Sequence, residues 1–143
     1  MLIELKEKDE LLGLLNKALG WELRAYAMYA HYAAYVKGLE SISLGAHFEE
    51  EATESIGHAK QVRDVIALLG GIAITDRDAT EIVHTDDWKV MLQEALKTET
   101  TAAKTYQEIM PLVKEHPGIT HTLMHIYMDE LNAVDEVNTL LGK

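Results

Sequence analysis

ESIGHAKQVRDVIALLGG, residues 54–71, places a histidine where the rhythm of an amphipathic helix asks for an apolar side chain. Followed back to about Ser41, the stretch presents Leu44, Phe48, Glu51, Ser55, His58, Val62, Val65 and Leu69, spaced alternately by four and three residues. That alternation puts them all on one face of a helix running to about Leu69. The face is apolar at both ends and polar in the middle. Gly70 and Gly71 supply a stop signal at its end.

The same rhythm recurs three times. From about Asp9 to Val36 it reads Leu15, Ala18, Glu22, Ala25, Tyr29, Ala33 and Val36. From about Asp86 to Lys114 it reads Leu92, Ala95, Glu99, Ala102, Tyr106, Ile109 and Val113. From about Pro117 to Leu141 it reads Ile119, Leu123, Ile126, Glu130, Ala133, Val137 and Leu140. Thr85 or Asp86 is a suitable cap for the third helix, and Pro111 should kink or end it near its last turn. KGLES joins the first two helices and EHPG the last two, so each pair should form an antiparallel hairpin. The segment Gly70–Thr85 is longer and can span ~50 Å at ~3.3 Å per residue. The expected fold is all-α: one domain over residues 1–143, an up-down-down-up four-helix bundle with one long crossover between helices 2 and 3.

Composition narrows the function. The 143 residues contain no cysteine, which excludes disulfides, thiolate metal sites and cysteine nucleophiles. The formal net charge is −11 and the lysines and arginines are scattered, which argues against nucleic acid and anionic membranes as partners. No apolar run approaches the ~20 residues of a membrane span. With no signal-peptide pattern at the start, a cytoplasmic protein is expected.

Glu22, Glu51, Glu99 and Glu130 all fall on the core stripes, as does His58. A single glutamate on such a stripe commonly sits at its edge with its carboxylate in water. Four at similar heights on four helices are a different matter, because a buried carboxylate costs several kcal/mol unless it is paired. None of the lysines or arginines lies on these stripes. Protons, water or a bound cation must then balance the charge. Oxygen ligands with one imidazole suit iron, manganese or zinc. The halves of the chain also echo each other: Glu22 precedes Tyr29 by seven residues, and Glu99 precedes Tyr106 by seven.

LNKALGWELRAYAMY resembles the first helix of bacterioferritins and other members of the ferritin-like superfamily. ESIGHAKQVRDVIALLGG resembles their second helix, double glycine included. The resemblance implies a core site for two irons, oxidised by dioxygen or peroxide. Its ligands are one glutamate from each of the first and third helices and a Glu-x-x-His from each of the others. By that match Glu22 and Glu99 are the terminal carboxylates, His58 is the first histidine and Glu130 one bridging carboxylate. Ser55 stands where the other bridging glutamate would be, and Ala133 where the second histidine would be. Glu54, one turn from His58, is the expected substitute for Ser55, with Glu51 an outer carboxylate or relay. The expected metal set is Glu22, Glu54, His58, Glu99 and Glu130, holding one or two irons, manganese or zinc being alternatives. Ile56 occupies the position of the haem-binding methionine, so no haem is expected.

Two functional readings follow. One is a metal-binding protein with an asymmetric centre, filling first at His58, that oxidises Fe(II). The other is a structural oligomer whose metal site has decayed. Leu14, Trp21, Ala25, Met28, Tyr32 and Tyr35 form a second apolar stripe on the first helix and suggest a homodimer or larger homo-oligomer. Tyr29 should pack beneath Glu22, and His47, a turn before Glu51, reads as an ordinary histidine, with a place on an iron entry path as the alternative. His31, His84 and His116 read as ordinary surface or loop residues, and His121 and His125 as solvated ones.

Overall fold

The structure, a computed structural model, describes residues 5–143. It contains α1 (Leu5–Tyr35), α2 (Ser41–Leu68), α3 (Trp88–Val113) and α4 (Pro117–Leu140), and no strand among the described residues. The four expected helices are all present, and the differences lie at their ends. Gly38 and Gly70 adopt φ of 85° and 79°, the left-handed conformation that lets the chain leave a helix. The cap of α3 is Asp87, one residue beyond the expected pair. Its side chain accepts the Lys89 N–H at 2.9 Å, and Thr85 in turn accepts the Asp87 N–H at 3.0 Å. Pro111 lies inside α3, which stops two residues later.

The core is divided. Leu11, Leu15 and Leu19 of α1 pack with Val62, Ile66, Ile109, Leu123 and Ile126 at one end of the bundle. Met28, Tyr29 and Tyr32 pack with Leu44, Phe48, Met91, Leu92 and Val137 at the other. Each fully buried residue of this size contributes ~1.5–3 kcal/mol relative to exposure. Between the two clusters, on every helix, comes a buried polar layer: Glu22, Ser55, His58, Glu99 and Glu130. The apolar ends hold the bundle shut around this layer.

The crossover follows α1 in order. Asn16 bonds the Ile72 carbonyl and the Ile74 N–H, the Asp78 N–H donates to the Gly20 carbonyl, and Tyr32 donates to the Val83 carbonyl. Gly20 eases the approach, since a Cβ there would meet Ile74 Cδ1 at 3.2 Å and Asp78 N at 3.4 Å. Arg24 is the main clasp. Its guanidinium donates to the carbonyls of Thr80 and Glu81 at 2.9 and 2.6 Å and to Thr98 Oγ1 of α3 at 2.9 Å.

The second apolar stripe of α1 is therefore used within the chain. Ala25, Met28 and Tyr32 are buried, and the Arg24 guanidinium lies 5.0 Å above the half-buried Trp21 ring. The face expected to meet a second copy is largely covered by this chain's own crossover and α3, and Tyr35 alone of the stripe remains well exposed.

Candidate metal centre

His58 is the hub of the polar layer. Its Nδ1 lies 3.2 Å from Glu22 Oε2 and 3.2 Å from Glu130 Oε1, so α1, α2 and α4 converge on one nitrogen. All three side chains are buried. Its Nε2 points the other way, 3.0 Å from Asp129 Oδ2 and 3.7 Å from Glu54 Oε1. The two faces of the imidazole thus meet two different groups of carboxylates, one inside the bundle and one at its surface.

The repeated Glu–Tyr spacing has a crosswise geometry. Tyr106 of α3 donates to Glu22 Oε2 of α1 at 2.7 Å, and Tyr29 of α1 donates to Glu99 Oε1 of α3 at 2.9 Å. Tyr29 therefore serves the glutamate of the opposite helix, not Glu22 as expected from the sequence. Two hydrogen bonds to buried carboxylates orient them and lower the cost of burying them.

No lysine or arginine forms an ion pair with this layer among the described residues. Burial, the Glu130 charge and a hydrogen bond with Glu130 push the Glu99 carboxyl well above its ordinary range. Burial and the Glu22 charge push Glu130 up to about 7, against hydrogen bonds from Glu99 and His58 that hold it down. Burial opposes charge on His58, but hydrogen bonds to Glu130 and Glu22 and the charges of both keep the imidazole protonated far above its usual range.

Of the expected ligands, the structure brings Glu22, His58 and Glu130 to one point, with Glu99 adjoining Glu130. It does not bring Glu54 to that point. Glu54 is exposed, on the solvent side of the imidazole, grouped with Asp129. Ser55 and Ala133 are both buried at the level of the site. Glu51 lies half-buried further along α2, beside His47 and Glu136. Sequence reading missed Asp129 as a partner of His58, and nothing in its spacing marks it off from an ordinary surface aspartate. The donor set is one imidazole and several carboxylates, with no lysine or arginine paired to it among the described residues, which fits a divalent first-row metal.

A four-helix bundle with carboxylates and histidine at mid-height defines the class, and the comparisons agree with it. The chain belongs to the ferritin-like family, whose domain model matches residues 12–143. A ferritin-like, diiron-carboxylate protein from Bacillus anthracis is 29% identical, with a TM-score of 0.89 over 94% of this chain and 97% of that one. The bacterioferritin-related protein from Bacteroides fragilis, a dodecameric thioferritin, is 26% identical, with a TM-score of 0.86 over 94% and 86%. The bacterioferritin of Desulfovibrio desulfuricans is 19% identical and shares the fold, with a TM-score of 0.85 over 96% and 81%. No curated protein matched the sequence.

Proposed function

We propose that this chain binds iron in its bundle core and oxidises Fe(II) there, through an asymmetric centre anchored by Glu22, His58 and Glu130. The observation that carries this reading is the convergence of those three buried groups on one point, with no lysine or arginine paired to them among the described residues. Likeness to diiron-carboxylate proteins at 29% identity supports iron over other metals. Fe(II) is the substrate, and its oxidation delivers an electron to dioxygen or peroxide.

The chain's own groups bind and orient. Glu22 and Glu130 supply oxygen donors and His58 Nδ1 the nitrogen donor, once its proton has left. Asp129 and Glu54 hold the outer edge of the imidazole, as carboxylates behind metal-bound histidines do. Tyr106 and Tyr29 fix the rotamers of Glu22 and Glu99. Glu99 completes the inner set from α3. Manganese and zinc suit the same donors, and a haem site is not part of the proposal. A cytoplasmic location is part of the proposal; no described helix is long and apolar enough to cross a membrane.

A decayed site in a structural oligomer has one observation in its favour: His58, Glu22, Glu130 and shared protons already satisfy one another without a metal. Anaerobic titration with Fe(II) separates the readings. Tight binding that vanishes in His58→Ala, followed by oxidation on admitting air faster than in protein-free buffer, is expected. Protein that takes up no Fe(II), Mn(II) or Zn(II), and melts at the same temperature with each, would establish the structural reading.

A further inference from the structure

A second group of metal-ligating side chains lies along the bundle from the first. His47, Glu51 and Glu136 each offer a ligand atom, all within 4.8 Å of one another. His47 Nδ1 is 3.5 Å from Glu136 Oε1, and its Nε2 is buried without a hydrogen-bond partner. An orphaned buried nitrogen has lost its water and gained nothing in return. No lysine or arginine forms an ion pair with any of the three among the described residues.

The position of this group relates to the two ligands the centre lacks. Glu51 lies four residues before Ser55 on α2, and Glu136 three residues after Ala133 on α4. The two helices run in opposite directions, so both steps go the same way along the bundle by about one turn, ~5 Å. The carboxylate missing at Ser55 reappears one turn along as Glu51. The imidazole missing at Ala133 reappears as His47, with Glu136 as a further oxygen donor.

We infer that His47, Glu51 and Glu136 form a second divalent-cation site, displaced one helical turn from the position left empty of ligands by Ser55 and Ala133. This rests on the core reading only in supposing that the chain handles metal. From Glu130 to Glu136 is six residues on α4, ~9 Å at 1.5 Å per residue. The two ions would then load as separate neighbours.

The test uses Co(II) as the probe, added to metal-free protein and followed by calorimetry and by the visible absorption of the bound ion. Wild type should bind two Co(II) per chain. His47→Ala and Glu136→Gln should each bind one tightly, with the other affinity down tenfold or more, while His58→Ala should lose the opposite ion. Glu136 is exposed, so Glu136→Gln keeps the test readable should His47→Ala fold poorly. Two ions with unchanged affinity in Glu136→Gln and in folded His47→Ala would overturn the displaced site. One ion in wild type, lost only in His58→Ala, would overturn it and leave the core reading intact. An ion lost in His47→Ala but indifferent to His58→Ala would sustain the displaced site and remove the core one. No ion at all would remove both.

Discussion

Tyr29 donates its hydrogen bond to Glu99, on the opposite hairpin, while Tyr106 returns the same bond to Glu22. Each hairpin supplies the phenol that steadies the other's carboxylate. Hydrogen bonds to charged groups are worth ~1.5–3 kcal/mol. Tyr29→Phe and Tyr106→Phe should each weaken metal binding about tenfold or more, and the two effects should be alike. Calorimetric titration of the two variants checks this, and wild-type affinity in both would show that the phenols only fill space.

Removing the hub should cost the metal-free protein more than removing a phenol. His58→Ala leaves Glu22 and Glu130 facing each other without a cation, and breaking a buried pair costs ~3–5 kcal/mol. The His58 contribution is full below ~6.5 and fades as pH climbs, so the loss should be larger at pH 5 than at pH 8. Urea unfolding at pH 5 and pH 8 measures the difference, and equal losses at both would contradict the pairing described.

The metal-free protein should become less stable as pH rises from about 5 to 8. Folded Glu130 and Glu51 hold protons up to about 7 and about 8, whereas unfolded glutamates release theirs near ~4.3. The folded state therefore binds more protons across that window, and stability falls as they are lost. His58 acts in the same direction: its raised folded value gives stability that is full below ~6.5 and fades as pH climbs further. Metal displaces these protons, so the stabilisation it provides should grow with pH. Melting curves with and without Zn(II) between pH 5 and 8 test both slopes, and a metal-free protein that gains stability with pH would refute the proton-filled core.

Ser55→Glu combined with Ala133→His should restore the bridged centre implied by the family resemblance. Both positions are buried at the level of His58, so the new side chains enter the core. The double variant should bind an ion beside Glu99 in addition to the one at His58. Failure of the folded variant to gain an ion would mean that the backbone at these positions no longer suits the older geometry.

Self-association should not depend on the second stripe of α1, which the crossover covers. Leu39 and Ile42 lie bare near the start of α2, and Leu68 and Ile72 near its end. Homo-oligomers built on these ends are expected, with a mass that is a multiple of 16.0 kDa by sedimentation. Ile42→Lys or Ile72→Lys should shift the mass downward. A monomer at micromolar concentration would dispose of this expectation.

The helices were legible because alternating three- and four-residue spacing is a property of each segment alone. The core glutamates were legible for the same reason: each breaks a pattern its neighbours set. Helix ends were less so: Thr85 and Asp86 both suited the cap of α3 by sequence, and Asp87 takes that role with Thr85 bonding its N–H. The destinations of Tyr29 and Arg24 were hidden, because they depend on which helix lies opposite. Glu54 shows the limit most directly. Helical angle puts it near His58, but the rotation of the imidazole decides which nitrogen it meets, and that rotation is set by Glu22 and Glu130 from two other helices.

The clasp that Arg24 forms on the crossover bears on how the protein ages under attack. A long stretch without helix or strand is ordinarily where proteases cut first and where amide hydrogens exchange fastest. Here Asn16, Gly20, Arg24 and Tyr32 engage its backbone at successive points. Replacing one guanidinium would free two carbonyls and the hydroxyl of Thr98 together. Nicking at residues 75–82 would then precede any loss of helix, and the lifetime of the protein would be governed by a residue that belongs to neither the polar layer nor the apolar clusters of the core.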